Sequence, residues 1–271
     1  MSGRLIALGD STSWRGGQVS ARSTCVLAPN PSPMTLDGTN TWILREPGST
    51  SCVVIDPGPD TASHLEAIRG AVDGARVSQI LLTHGHEDHS EGARALAELT
   101  SASVAALDPE FRYGSEGIHG GDVIEAGGLT IEVIASPGHT SDSLSFFVPE
   151  DSALLTGDTV LGRGTTMVAY PDGNLGDYLR SLDSLAQLAT QAEVSLLLPG
   201  HGQALTDPAG VIEAYRSHRQ QRLEQVRSAV SGGARTAQEV VEIVYADVPR
   251  DLWPAAIVSV QAQLAYLDES G

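Results

Sequence analysis

Leu81-Leu82-Thr83-His84-Gly85-His86-Glu87-Asp88-His89 is the stretch on which the fold of this chain turns. Residues 84–89 hold three histidines and two carboxylates, and they follow directly on the apolar run Ile80-Leu81-Leu82. Imidazole nitrogen and carboxylate oxygen are the preferred ligands of zinc and its first-row neighbours. The spacing His-x-His-x-Asp-His presents two ligand groups at once. His84 and His86 alternate toward one metal, while the adjacent Asp88 and His89 face a second beside it. A metal-dependent hydrolase is the expectation.

Three further segments complete the set, each with its ligand just past an apolar strand, where a loop turns side chains inward. Ser136-Pro137-Gly138-His139 follows the strand ending at Ala135, Gly157-Asp158 follows Ala153-Leu154-Leu155, and Pro199-Gly200-His201 follows Leu196-Leu197-Leu198. Glycine beside each ligand lets the backbone bend close to an ion. His84, His86 and His139 supply three neutral nitrogens to one metal; Asp88, His89 and His201 serve the other, and Asp158 bridges them. Asp56, at the end of Val53-Val54-Ile55, reads as a carboxylate that orients a ligand histidine from behind. Two divalent ions about 3.5–4 Å apart share a water and bring its pKa toward ~7, and one of them polarises the scissile carbonyl or phosphoryl oxygen. Asp88 is expected to be catalytic, orienting the attacking water as well as binding metal. Nitrogen-rich ligation suits zinc, with iron or manganese as alternatives.

The surrounding pattern predicts short strands at 24–27, 41–44 and 52–55, a helix at 61–72, a buried strand at 78–82 and a helix from about 90 to 99. Strands follow at 104–107, 129–135, 144–148 and 153–156, then an amphipathic helix at 175–188 and a strand at 194–198. Strands in blocks, with helices between blocks, imply an α/β fold of two sheets with helices outside: a four-layer αββα sandwich rather than an alternating barrel. After about Ala204 the character changes. A long helix at 208–230, a capping box at Thr236-Ala237-Gln238-Glu239 opening a helix to Tyr245, and a helix at 254–267 predict a small helical unit. The expected domains are 1–205, catalytic, and 206–271, helical, with Ser231-Gly232-Gly233 as a hinge within the second.

Composition sets the limits. The formal charge is −18, from 34 acids and 16 bases, and every base is arginine. Such acidity argues against holding long nucleic acid by counterion release. No stretch approaches the ~20 apolar residues of a membrane helix, and residues 1–10 are too short an apolar segment for a signal peptide. Two cysteines, Cys25 and Cys52, imply no disulfide framework and read as small core residues. A cytoplasmic protein is the default.

These motifs resemble the metallo-β-lactamase superfamily over about residues 24–202, which implies the αββα fold. Asp37-Gly38-Thr39-Asn40-Thr41-Trp42 and Gly157-Asp158-Thr159-Val160-Leu161-Gly162-Arg163-Gly164-Thr165-Thr166 narrow the resemblance to the β-lactamase-like protein 2 group. Ser217-His218-Arg219 with Arg222-Leu223-Glu224-Gln225 is similar to that group's helix after the last ligand, and the remainder is similar to its winged-helix-like C-terminal domain. The resemblance implies single-stranded RNA cleavage, as in animal relatives, or thioester hydrolysis, as in fungal ones. β-Lactam hydrolysis is disfavoured because the commonest zinc β-lactamases carry cysteine where this chain has Asp158. The 42 residues between Asp158 and His201 leave no room for the inserted domain of the large nucleases. Glyoxalase II-type hydrolases share the metal motifs but hold glutathione with different C-terminal helices. His86, a glutamate in diiron flavoproteins of this fold, favours hydrolysis over redox chemistry.

Other candidates weigh less. His64 is expected at the surface and His119 in a turn. His218 and Arg219 are open between a structural role and substrate contact, and the arginines of 208–230 between a solvated face and the mouth of the site. Trp42 and Tyr170 are open between cleft and core. Thr140, Ser141 and Ser143 lack the base and acid of a serine triad. The expected function is hydrolysis of an ester-like bond in a small ester, a thioester or short single-stranded RNA, with a homodimer suggested by the helical unit beside an open cleft. A mononuclear-iron dioxygenase and a catalytically idle binding module are the alternatives.

Overall fold

A computed structural model describes residues 13–270; the segment 1–10 lies outside the described residues. The first sheet holds β1 (Gly17–Gln18), β2 (Ser23–Leu27), β3 (Asn40–Leu44), β4 (Ser51–Ile55), β5 (Arg76–Leu81) and β6 (Ser103–Ala105) in sequence order. Pairing is antiparallel from β1 to β4 and parallel from β4 through β6. The second sheet comprises β7 (Val123–Ala126), β8 (Leu129–Ala135), β9 (Leu144–Val148), β10 (Ala153–Gly157) and β11 (Leu196–Pro199), ordered β11-β10-β9-β8-β7. Only β10 and β11 run parallel within it.

The layers follow from strands whose two faces are both apolar. Successive side chains point to opposite faces of a strand, so Val53 and Ile55 enter the core between the sheets while Cys52 and Val54 enter the outer one. Leu155 and Leu154 divide in the same way, as do Phe146 and Phe147. Each side chain of this size buried fully contributes about 1.5–3 kcal/mol. Helices α1 (Ala62–Ala71) and α3 (Ala93–Thr100) cover the first sheet through Leu65, Ile68, Leu96 and Ala97. Helices α4 (Leu175–Gln191) and α5 (Pro208–Ser231) cover the second through Tyr178, Leu182, Ile212 and Tyr215. The arrangement is the expected αββα sandwich.

Beyond it, the distal part of α5 packs with α6 (Ala237–Val244) and α7 (Trp253–Ser270) around Val226, Val240, Val241 and Val260. The Thr236–Glu239 capping box is formed at the start of α6. Among the described residues no helix is long and apolar enough to cross a membrane.

Three expectations change. The helix read at 90–99 is two pieces, α2 (Glu87–Ser90) and α3. Gly92, at the break, donates to the Gly58 carbonyl at 2.8 Å, and a Cβ there would lie 3.0 Å from the same oxygen. Strands β1 and β7 were not read from sequence. His64 is not at the surface: only 1% exposed, it bonds Thr41 Oγ1 through Nε2 at 2.9 Å. It shares a helix face with Ile68, one turn on, and that face is the buried one.

Candidate metal centre

The two sheets meet at one rim, where the segment after β5 and the ends of β10 and β11 converge. Main-chain bonds fasten it: Leu144 N–H to the Thr83 carbonyl (2.7 Å), Asn40 N–H to that of Gly200 (2.7 Å), and Gly200 N–H to that of Gly157 (2.8 Å). Here Gly200 has no room for a side chain. A Cβ would stand 2.5 Å from Asp158 Oδ1 and 2.7 Å from His89 Cε1.

Asp56 organises the floor. It sits in the left-handed region at φ 50°, unusual outside glycine, and its carboxylate holds it there. Oδ1 accepts from Thr83 N–H at 2.8 Å; Oδ2 accepts from the Thr83 hydroxyl at 2.7 Å and from His89 Nδ1–H at 2.9 Å. With its hydroxyl proton spent on Asp56, Thr83 Oγ1 accepts from His84 Nδ1–H at 3.0 Å. His139 Nδ1–H donates to the Met167 carbonyl at 2.7 Å, and His201 Nδ1–H to that of Gly38 at 3.2 Å. In four histidines Nδ1 is therefore tied outward, and Nε2 faces inward.

Those inward atoms form two groups. His84 Nε2 and His139 Nε2 each lie 3.1 Å from His86 Nδ1. His89 Nε2, His201 Nε2 and Asp88 Oδ2 form the second, with His201 Nε2 3.2 Å from both others and His89 Nε2 3.5 Å from Asp88 Oδ2. Asp158 touches both groups: Oδ2 is 3.3 Å from His201 Nε2 and 3.7 Å from His139 Nε2, and Oδ1 is 3.5 Å from His89 Nε2. Each group can hold a metal ion. Ligand atoms at the corners of a tetrahedron with metal–nitrogen bonds of ~2.0–2.1 Å stand about 3.3 Å apart, close to the separations found. Asp158 Oδ1 is buried without a hydrogen-bond partner among the described residues, as expected of an atom that answers to a cation. The donor set thus fits divalent metal.

Electrostatics divides the groups. Burial, with help from neighbouring imidazoles, holds His84 and His139 below the ordinary histidine value. Burial also opposes charge at His89 and His201, but Asp158, with Asp56 and Asp88, outweighs it; His89 is raised and His201 reaches about 10. Burial would raise Asp88 and Asp158, yet His201 and His89 hold both below the carboxylate range, Asp158 well below. His84 and His139 are thus held toward neutral imidazole, whereas His89, His201, Asp88 and Asp158 form a tight arrangement of opposite charges. A bound cation displaces the inward protons that His89 and His201 carry, so metal affinity falls with falling pH.

The site opens on a cavity of about 320 Å³. Its lining includes His139 and Asp158 of the cluster, the apolar Met34, Leu36 and Met167, and His218, Arg219 and Arg222 of α5. His218 makes no core hydrogen bond: both ring nitrogens are buried without a partner among the described residues. Arg219 is 8% exposed, donates to the Thr166 carbonyl and lies over the Tyr178 ring. Arg216 pairs with Asp183 and Glu213, and Arg227 with Glu224, as on a solvated face. His119 is exposed beside Asp122, and Cys25 and Cys52 are buried free thiols. Trp42 belongs to the inter-sheet core, whereas Tyr170 is half exposed.

Sequence reasoning missed three groups: the Thr83 hydroxyl and the carbonyls of Gly38 and Met167. Thr83 stands directly before His84, a signal that was available; a backbone carbonyl has no residue type to announce it.

Comparison with known proteins agrees with this architecture. A family model described as the metallo-beta-lactamase superfamily matches residues 34–201, and one described as the beta-lactamase associated winged helix domain matches residues 236–271. The chain is similar to a beta-lactamase-like protein 2 homolog of Drosophila melanogaster, at 31% identity over 91% of this chain and 87% of that one. It is also similar to an atrochrysone carboxyl ACP thioesterase of Aspergillus fumigatus, at 31% identity over 86% of this chain and 76% of the other. Among solved structures, a beta-lactamase domain protein from Burkholderia ambifaria superposes with a TM-score of 0.80 at 25% identity, covering 94% of this chain and 88% of that one. With the two-sheet sandwich, the histidine–aspartate cluster at its rim and a match through that whole region, this chain belongs to the metallo-β-lactamase superfamily of hydrolytic enzymes.

Proposed function

We propose that the chain is a dinuclear-metal hydrolase, with zinc as the natural occupant, and that its substrates are esters or thioesters. One observation carries the reading: seven side chains aim a free nitrogen or oxygen at a single spot, while the opposite nitrogens of four histidines are tied outward. His84, His86 and His139 hold one ion, Asp88, His89 and His201 the other, and Asp158 lies between. Two ions so held supply Lewis acidity and a water acidified toward neutral pKa.

The protein's own groups do the rest. Asp88 keeps 31% of its side chain exposed, more than Asp158 at 12%, while its Oδ2 lies 3.2 Å from His201 Nε2. With Oδ2 on the metal side, the other carboxylate oxygen, Oδ1, would orient a water and accept its proton, the general-base role. Asp56 and Thr83 fix the ring planes of His89 and His84, so no reorganisation is needed during reaction. Met34, Leu36 and Met167 line the cavity beside the cluster and offer apolar contact to the acyl part of a substrate.

The net charge of −18 favours an ester or thioester over a polyanionic RNA strand, and the thioesterase name of a relative points the same way. Two free thiols suit a reducing, cytoplasmic setting. The test is turnover of a short acyl thioester and of a labelled single-stranded RNA by purified, metal-quantified protein, with Asp88→Ala prepared identically. The expected result is thioester cleavage that falls 10²–10⁴-fold in the variant. RNA cleavage without thioester cleavage, or equal rates in the variant, overturns the proposal.

A further inference from the structure

We infer that His218, Arg219 and Arg222 form a subsite for an oxyanion at the end of the substrate remote from the scissile bond, so that the preferred ester or thioester carries a carboxylate or phosphate there. The inference rests on the metal cluster being the place of bond cleavage.

One cavity is lined both by His139 and Asp158 of the metal cluster and by the three α5 residues. Leu36, Leu161, Val248 and Leu252 line it too, which fits an aliphatic spacer between the ester and the anion. The volume of about 320 Å³ is at the small end of ligand pockets.

The charges are uncompensated. Arg216 and Arg227, on the same helix, each meet a carboxylate. Arg219 and Arg222 meet none within ion-pair distance among the described residues. Arg219 leaves a buried Nε without an acceptor among the described residues, while its guanidinium donates to the Thr166 carbonyl. Arg222 stacks on the Tyr245 ring at 4.4 Å and donates to the Val244 carbonyl and the Gln225 side chain. A guanidinium taken out of water without a counter-charge is costly, and more so without its full set of acceptors. In a chain with more than twice as many acids as bases, one buried and one half-buried cation beside one cavity are placed for an anion that arrives from outside. His218 lines the same cavity, with both ring nitrogens buried and lacking partners among the described residues. Burial first, then Arg219 and Arg222, lowers it to about 4, so at neutral pH it offers one donor and one acceptor.

Arg219 also braces Thr166 and Tyr178, and its loss is expected to disturb the fold. The test therefore uses Arg222→Gln and His218→Ala. Calorimetric titration of the metal-loaded protein with glutarate, inorganic phosphate and the neutral glutaramide reads binding without turnover. Glutarate or phosphate is expected to bind at least tenfold more tightly than glutaramide. Each variant is expected to weaken that binding at least tenfold at unchanged metal content and melting temperature. Which anion binds more tightly identifies the source as a carboxylate or a phosphate. If Arg222→Gln fails the melting check, Arg222→Lys replaces it and is expected to keep more than half of the binding free energy. Anions that bind no better than glutaramide overturn the subsite, and so does binding undiminished in both variants, which would place the anion on the metals. Variant-sensitive binding by a protein that cleaves no ester keeps the subsite and removes the hydrolase reading.

Discussion

Asp56 spends its carboxylate on Thr83 and His89 while its backbone is held in the left-handed region, so one side chain fixes both the loop and a ligand ring. Asp56→Asn keeps the size but loses an acceptor toward His89. Metal affinity is expected to fall 10–100-fold, as for comparable orienting carboxylates; chelator competition measures it, and an unchanged affinity would remove the role. His64 makes a separate prediction. Burial lowers it from 6.5 to about 4, chiefly by desolvation. With its folded value below its unfolded one, the stability it lends is complete above pH 6.5 and is lost as pH falls toward 4. His64→Gln is expected to lessen the drop in unfolding free energy between pH 7 and pH 5 by about 1–2 kcal/mol, after allowance for screening. Identical pH profiles in urea melts would contradict it. At this scale the sequence was legible where residue type announces chemistry, as for His84 or Asp158. It was silent on the Gly38 and Met167 carbonyls, and on helical His64, whose partner Thr41 lies on strand β3.

The elements bring the ligands together, and their close approach leaves testable marks. Gly200→Ala forces a methyl group against Asp158 and His89. Metal content is expected to drop below one ion per chain and the melting temperature by several degrees; a fully loaded variant would show that the rim can widen. At the far end, Thr236→Ala removes the capping-box oxygen of α6 and is expected to cost about 1 kcal/mol in stability, read by denaturant unfolding. A cost near zero would mean that packing alone holds that helix. The long apolar strands and amphipathic helices were legible because their period repeats over many residues. Strand β7 was not, being a four-residue edge with Val123 and Glu125 facing solvent. The break between α2 and α3 depends on Gly58, over thirty residues away, which no local pattern shows.

For the molecule as a whole, two sheets pack their apolar faces together and present loops at one rim, and α5 carries the chain from that sandwich to the helices around α7. The sandwich was legible because strand blocks and helix positions permit few other layerings. The cleft beside the cluster was not, because its walls come from residues 33–36, 161–167 and the C-terminal helices together. The central claim is a pair of metal ions held by His84, His86, His139, Asp88, His89, His201 and Asp158. The most direct test is elemental analysis of the purified active protein beside Asp158→Ala. Two divalent ions per chain, predominantly zinc, falling to one or none in the variant, is the predicted result. A single iron per chain, or a variant that keeps both ions, would contradict it.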